Sequence, residues 1–266
     1  MPESTRALSE QDLRDAVRAA GIDVPPSFHE VTGSTNADAL ELARAGAPEW
    51  TVVAAGFQEA GRGRLGRTWS SPPGTSILLS VLLRPALPPG SAPLLSLLVS
   101  RAMADACAAA AGVAARLKWP NDLVVGERKL AGVLPESTVA AGRLEHVVVG
   151  VGLNVAQRPE DFPPEVGESA TSLALEGGGG DQPAIVEAFL RAAREAYRPA
   201  EAGFAETVVA AARERSATLG RRVRAVTVDG RRVEGVAADL GPDGALLIDA
   251  DGRREAVGFG EVAHLE

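Results

Sequence analysis

The chain has 266 residues, of which 45% are hydrophobic and 23% are charged, so it is long enough and apolar enough for a globular protein with a sizeable core. A formal net charge of -8 argues against a general nucleic-acid binder, and a single cysteine excludes an internal disulfide framework. The charged start, Met1–Gly21, is no signal peptide, and no uncharged stretch reaches the roughly 18 residues of a membrane span, so we expect a cytoplasmic protein that contacts no membrane.

The predicted elements mix helices with apolar strands. Residues Leu8 to Ala20 predict an amphipathic helix, and the loop GSTN precedes a second helix from Asn36 to about Ala45. The elements that follow are a strand in TVVAAGF, a strand in SILLSVLLR, a helix from Ala92 to Gly112, two strands in ARLKWPNDLVV, strands in RKLAGVLPES and LEHVVVGVGLNV, a loop over 157–183, and helices from about Ala184 to Tyr197 and from Ala202 to Glu214.

The pattern changes near Leu219. From there to the C-terminus, short alternating segments are separated by glycine-containing turns. A run of about 48 residues of this kind is typical of a small closed β-barrel of SH3-like size. We therefore place a domain boundary at this point.

The stretch GRGRLGRTW, Gly61–Trp69, concentrates glycine and arginine in an acidic chain. It matches G-x-G-x-x-G, but the following TWSSPPG is no helix and the next acidic residue is Asp105, so a dinucleotide-binding fingerprint is excluded. No kinase, Walker or metal-site motif accompanies it. Glycine amides and arginines together favour an anion site, whereas a solvated hairpin tip is the alternative.

Rare residue types fall in short polar segments between the strands. The chain has 25 arginines but two lysines, Lys118 and Lys129, and three asparagines, Asn36, Asn121 and Asn154. All five lie in GSTN, KWPND, RKLAG or GVGLN. Since this chain otherwise uses arginine, the two lysines indicate places where a compact ammonium is needed.

These segments, with FQEAGRGRLGRTW, resemble those of biotin–protein ligases in order and spacing, from about Phe28 to the C-terminus. The resemblance implies an α+β fold, a mixed β-sheet flanked by helices as in class II aminoacyl-tRNA synthetases and biotin–lipoate ligases, with a small C-terminal SH3-like β-barrel. The implied units are a short N-terminal helical segment, 1–27, a catalytic biotin- and ATP-binding ligase domain, 28–217, and the barrel, 218–266.

The implied reaction has two steps. The biotin carboxylate attacks the α-phosphate of ATP to give biotinyl-5′-AMP and pyrophosphate, and a lysine amine of a carrier domain then displaces AMP. ATP and biotin are the implied substrates and Mg²⁺ the implied ion. The implied partner is a biotin carboxyl carrier domain of a carboxylase such as acetyl-CoA carboxylase.

The resemblance also implies the site residues. The catalytic set is Arg64, Lys129, Lys118 and Asp122. The biotin-binding set is Ser34, Thr35, Asn36, Gln58, Gly61, Arg62, Gly63, Arg64, Lys129 and Gly132. The ATP-binding set is Arg62, Arg64, Arg67, Trp69, Asn121, Asp122, Lys129 and Asn154. No residue is expected to be a dedicated metal ligand.

Purely structural interpretations of several of these residues also stay open. The segment Ser34–Asn36 serves equally well as a helix cap, and Asp122 as a turn cap after Pro120. Arg67 is the arginine of the loop that most resembles a solvated or structural side chain. For the two tryptophans Trp69 and Trp119, core packing competes with a role as pocket walls.

Four other functions compete with a biotin–protein ligase. An octanoyl transfer enzyme of this fold would need a nucleophilic cysteine, but Cys107 lies on an apolar helical stripe with Val99 and Met103, which predicts core packing; a lipoate ligase ranks second. A biotin-sensing repressor would need a recognition helix, and only about 27 residues precede the matched region, so we expect no DNA binding. An RNA contact lacks aromatic stacking partners. A monomer or weak homodimer is expected.

Overall fold

The computed structural model describes residues 6–227, 230–258 and 260–265; the ends of the first and last predicted units, 1–5 and 266, lie outside them. The helices are α1 (Glu10–Ala19), α2 (Thr35–Arg44), α3 (Ala92–Ala111), α4 (Gln182–Ala196) and α5 (Phe204–Glu214). The strands are β1 (Ser27–His29), β2 (Val52–Ala55), β3 (Ser76–Leu83), β4 (Arg116–Lys118), β5 (Asp122–Val125), β6 (Arg128–Ala140), β7 (Arg143–Asn154), β8 (Arg222–Thr227), β9 (Arg232–Leu240), β10 (Leu246–Ala250), β11 (Arg253–Val257) and β12 (Gly260–His264).

Strands β1 to β7 form a sheet in the order β1-β2-β3-β7-β6-β5-β4. The pair β1/β2 is parallel and the other neighbours are antiparallel, so the prediction of a mixed sheet flanked by helices is confirmed. The sequence did not predict β1, because three residues are too few to show a periodic pattern.

The two faces of this sheet bury different helices. Along β3, Ile77, Leu79 and Val81 belong to the core that contains α3, whereas Leu82 packs with Ala39 of α2 on the other face. Successive side chains of a strand point to opposite faces, so a strand covered on both sides is mostly apolar. This is why SILLSVLL is apolar except at Ser76 and Ser80, whose buried hydroxyls are hydrogen-bonded within the protein.

Helix α3 is the central helix of the core. With the turn before it, Pro89–Ala111 is the one segment of the described residues that is long and apolar enough to cross a membrane, and 72% of its most apolar window is buried in this fold. Cys107 is completely buried on this helix, as predicted. Burial raises the pKa of the Cys107 thiol to about 12, which leaves almost no thiolate for nucleophilic chemistry.

Helix α1 belongs to the same core as the large sheet. Ser9 and Asp12 form a reciprocal capping box at its start, and Leu13, Ala16 and Val17 are buried among the residues of the main core. The predicted helix over Leu8–Ala20 is therefore present with slightly shorter bounds. The predicted division of residues 1–27 from 28–217 stays a prediction.

Strands β8 to β12 form a second, antiparallel sheet in the order β11-β10-β9-β8-β12. Their inward side chains, such as Val223, Leu246 and Ile248, join the same continuous core as the large sheet. The small C-terminal β domain is thus present and packs on the body of the protein. The predicted closure into a barrel is not seen among the described residues, because β11 and β12 form the two edges of the sheet and do not pair.

Candidate functional site

One cavity of about 930 Å³ lies where the large sheet, the loop after β2 and strand β12 meet. It is lined by every predicted site residue except Gly61: Ser34, Thr35, Asn36, Gln58, Arg62, Gly63, Arg64, Arg67, Trp69, Lys118, Asn121, Asp122, Lys129, Gly132 and Asn154. Segments that are distant in sequence therefore converge on one concave surface. A cavity of this size accommodates a ligand as large as a nucleotide with a second small group.

The glycine- and arginine-rich loop is a tight, hydrogen-bonded turn. Trp69 N donates to Gly61 O (2.9 Å) and Gly63 N donates to Arg67 O (2.7 Å). Gly61 is required there, because a Cβ at this position would lie 2.4 Å from the Trp69 carbonyl oxygen. At the tip, Leu65 adopts a left-handed conformation (φ 54°) and 59% of its surface is exposed.

The three arginines of this loop have different environments. Arg64 donates from Nη1 to Asn121 Oδ1 and from Nη2 to Gly260 O, both at 3.1 Å. Burial lowers the pKa of the Arg64 guanidinium, while the charges of Asp122 and Glu261 oppose that shift. Arg64 is thus a half-buried cation that connects the loop to the turn before β5 and to β12.

Arg62 and Arg67 are held by carboxylates. Arg62 Nη2 lies 3.1 Å from Glu136 Oε2, and Arg67 forms an ion pair with Glu261 of β12. The Arg67 side chain is 71% exposed. Of the three arginines, Arg67 therefore fits the interpretation as a solvated side chain best.

Asp122 lies between the chain's two lysines. Lys129 Nζ is 2.7 Å from Asp122 Oδ1 and lies 5.7 Å from the ring centroid of Trp69. Lys118 of β4 is the register partner of Asp122 in β5, and cross-strand partners place their side chains on the same face. The two lysines therefore add positive charge to one wall of the cavity.

The GSTN segment starts helix α2 at the opposite wall. Ser34 is the N-cap residue but makes no side-chain cap hydrogen bond, so the cap interpretation alone does not explain it. The Thr35 amide and hydroxyl both donate to Gln58 Oε1, at 2.8 and 3.0 Å. This pairing fixes the side chain of Gln58 at the cavity.

Asn36 is buried and uses both amide hydrogens within the protein. Its Nδ2 donates to Leu134 O (3.2 Å) and to Glu136 Oε2 (2.7 Å), while Ser80 Oγ donates to its Oδ1 (2.6 Å). A Cβ at Gly150 would lie 2.1 Å from Asn36 Oδ1, so this glycine makes the space for the amide.

Asn154 ends β7 and also bonds inward. Its Nδ2 donates to Thr171 O (2.9 Å), and its Oδ1 accepts from Gln157 Nε2 (3.1 Å). Thr171 N in turn donates to Lys129 O (2.8 Å). These bonds tie the end of β7 to the start of β6, which carries Lys129.

Some cavity residues had no signal in the sequence. Glu261 and Arg224 come from the C-terminal sheet, and Phe162 and Val166 come from the loop after β7. A charged residue on a short strand and an apolar residue in a Pro-rich loop are both common, so neither pattern indicates a site. Among the residues that the structure describes, no group of three or more His, Cys, Asp or Glu could hold a metal ion.

Two family models match the chain. Residues 28–154 match the family model described as the biotin/lipoate A/B protein ligase family, and residues 218–265 match the biotin protein ligase C-terminal domain. The chain is 39% identical over 272 residues to a biotin–acetyl-CoA-carboxylase ligase of Mycobacterium tuberculosis, covering 97% of this chain and 96% of that relative.

Two further matches are of similar extent. The chain is 33% identical over 245 residues to the bifunctional ligase/repressor BirA of Bacillus subtilis, covering 92% of this chain and 75% of that relative. Among solved structures, the biotin protein ligase from Aquifex aeolicus in complex with biotin and ATP superposes with a TM-score of 0.74 at 25% identity, over 90% of this chain and 98% of that one.

Proposed function

We propose a mechanism for the cavity of this chain, which belongs to the biotin/lipoate A/B protein ligase family. In this proposal the cavity is the active site of a biotin protein ligase. The enzyme activates biotin with ATP as biotinyl-5′-AMP, and passes the biotinyl group to a lysine of a carrier domain of a biotin-dependent carboxylase. The observation that carries the site assignment is that Arg62, Arg64 and Lys129 line the same cavity as Ser34 and Gln58.

The first step brings a carboxylate against a polyphosphate. Both are anions, so the barrier falls when fixed positive charge lies between them in a site from which water is excluded. We assign Arg62, Arg64 and Lys129 to this role. Arg64 is anchored to Asn121 and Gly260, so its charge is already in position and little reorganisation is needed.

Lys129 contacts the reacting carboxyl and α-phosphate in this proposal. Its ammonium is held by Asp122 and by the ring of Trp69. The buried Trp69 Nε1 has no hydrogen-bond partner among the described residues, and a ligand atom that accepted from it would remove that cost. Mg²⁺ in such sites is usually bound by one or two carboxylates together with water and substrate phosphates. Asp122 is the residue that would hold the ion here, and the ion would neutralise phosphate charge.

The GSTN wall receives the biotin ring. Ser34 lines the cavity without capping α2, and Thr35 fixes Gln58 beside it. A ureido ring has both donors and acceptors, which hydroxyl and amide groups match. Asn36 supports this wall from behind, because its amide hydrogens are already bonded to Leu134 and Glu136.

In the second step the carrier lysine enters from the open side and its amine attacks the mixed anhydride, so that an amide forms and AMP leaves. We assign Lys118 and Asp122, which line the cavity, to contact with the incoming amine or the pyrophosphate. We further propose a cytoplasmic enzyme that acts as a monomer or weak homodimer without binding DNA.

Pyrophosphate exchange into ATP by the purified chain tests the proposal, with biotin, lipoate and octanoate supplied separately in the presence of Mg²⁺. Exchange with biotin alone is expected. Exchange with lipoate or octanoate would overturn the assignment of the Ser34–Gln58 wall. Absence of exchange with every acid would contradict the proposed site as a whole.

A further inference from the structure

Glu136 connects two segments of the site without lining the cavity. It lies on β6, and its Oε2 accepts from Asn36 Nδ2 at 2.7 Å and lies 3.1 Å from Arg62 Nη2. One oxygen of the Glu136 carboxylate thus contacts both helix α2 and the loop Gly61–Trp69, which we call the anion-binding loop. No sequence pattern pointed to this residue.

This contact differs from an ordinary surface ion pair. The side chain of Glu136 is only 28% exposed, and Asn36 is 4% exposed. Asn36 is fixed in turn by Ser80 Oγ (2.6 Å) and by close packing on Gly150. Because its partner is rigid, the carboxylate loses little conformational freedom when it binds Arg62, which is the condition under which an ion pair contributes.

We infer that Glu136 is a positioning residue for biotin binding, acting through Arg62 and Asn36. This rests on the proposed assignment of the cavity to biotin and ATP. Only Nη2 of Arg62 is held by the carboxylate, so the other guanidinium N–H groups are free to face an anionic ligand. Glu136 therefore sets the direction of the guanidinium and leaves its binding edge open.

The substitution Glu136→Gln tests this inference. The amide oxygen can still accept from Asn36, but the substitution removes the negative charge that pairs with the Arg62 guanidinium. Loss of this ion pair is expected to raise the KM for biotin about tenfold in pyrophosphate exchange, because Arg62 is no longer oriented. The kcat and the KM for ATP are expected to change less than the KM for biotin, because Arg64 and Lys129, which share the phosphate-side role with Arg62, are untouched.

A double-mutant cycle separates positioning from a general structural role. In an Arg62→Gln background, Glu136→Gln is expected to add little to the KM for biotin, since the guanidinium that it orients is gone. Glu145→Gln, the same change at an exposed site on neighbouring strand β7, is the matched control and should leave both KM values unchanged. Thermal unfolding of each variant is measured alongside.

The outcomes are distinct. If the wild-type chain exchanges pyrophosphate with biotin but Glu136→Gln keeps the wild-type KM, the positioning role is wrong. Fully additive effects of the two substitutions would also overturn it. If the wild-type chain exchanges with no acid, the assignment of the cavity itself fails, whatever the variant does.

Discussion

At the scale of single residues, Lys129 occupies a space that suits an ammonium. A Cβ at Gly132 would already lie 3.3 Å from Lys129 Nζ and 3.2 Å from the Trp69 ring, so the surroundings are tightly packed. A guanidinium is larger and planar, and it would also displace the contact with Asp122. We expect Lys129→Arg to lower kcat/KM for exchange by about 100-fold, a loss typical of a misplaced electrostatic group.

Lys118→Arg is the matched comparison for that prediction. Lys118 lines the same cavity, but its side chain makes no hydrogen bond or ion pair among the described residues, so a longer cation is more easily accommodated. In steady-state exchange assays, Lys118→Arg should lower kcat/KM less than Lys129→Arg does. Equal losses would show that the packing around Lys129 is not what selects lysine.

Arg64 is expected to matter more than its neighbour Arg67. Removing the half-buried guanidinium by Arg64→Ala deletes a fixed donor, and should lower exchange by about 10²–10³-fold and speed the release of biotinyl-5′-AMP. Arg67→Ala removes a side chain that is 71% exposed, so an effect of about threefold or less is expected. Rapid-quench measurement of bound and free adenylate checks both, and similar leakage from the two variants would contradict the assignment.

At the scale of elements, the end of strand β7 requires glycine where the Trp69 ring packs against it. A Cβ at Gly152 would lie 2.5 Å from Cε2 of Trp69, a distance that real Cβ atoms do not show. Gly152→Ala is therefore expected to displace Trp69 and to lower kcat/KM for exchange by at least about tenfold, since a shift of about 1 Å is costly in such sites. Gly90→Ala, where a Cβ meets nothing within 4 Å, is the control and should keep wild-type activity.

Strand β7 also carries a buried histidine away from the cavity. Both ring nitrogens of His146 lack a hydrogen-bond partner among the described residues. Burial lowers the pKa of His146; Glu145 opposes this shift, and Arg84 and Arg44 add to it. A lowered folded-state pKa means that the unfolded chain binds the proton more readily, so stability is complete above the ordinary pKa of about 6.5 and falls at lower pH.

Urea unfolding between pH 5 and pH 8 tests this expectation. The wild-type chain should lose free energy of unfolding below about pH 6.5, and the loss should be smaller in His146→Leu, which has no proton to bind. Because the pKa of His264 is also lowered, chiefly by burial, the informative quantity is the difference between the two pH profiles. Parallel profiles would show that His146 does not contribute.

Elements with long periodic patterns could be predicted from the sequence, whereas contacts between elements could not. The runs in β3, α3 and β7 are apolar over many residues, so their type was evident. That Lys129 and Asn36 line one cavity could be predicted only from the resemblance to a family. Glu136 escaped notice because an acidic residue on a strand has no distinctive local pattern, and its role exists only through partners about 70 and 100 residues away in sequence.

At the scale of the whole molecule, the C-terminal sheet is part of the site. Arg64 reaches Gly260 and Arg67 reaches Glu261, so two arginines of the anion-binding loop rest on β12. The KWPND segment also contacts this sheet, because Trp119 Nε1 donates to Gly244 O at 2.9 Å in the turn between β9 and β10. The conformation of the loop and the docking of the C-terminal sheet therefore depend on shared contacts.

Trp119→Phe tests this connection. The change leaves the Gly244 carbonyl without its buried donor and opens space beside it, so the free energy of unfolding should fall by about 2–3 kcal/mol, or roughly 4–10 °C in Tm. Because the two sheets share one continuous core, calorimetry should still show a single transition. The KM for ATP should rise, since the sheet that supports Arg64 is less firmly docked.

Trp50→Phe is the control, because Trp50 is buried in the main core against Tyr197 and Arg194. It should lower Tm without changing the KM for ATP. Two separated transitions in Trp119→Phe would show that the C-terminal sheet folds as an independent unit. An unchanged KM for ATP in that variant would show that the anion-binding loop does not depend on how the sheet docks, and that Arg64 is positioned by Asn121 alone.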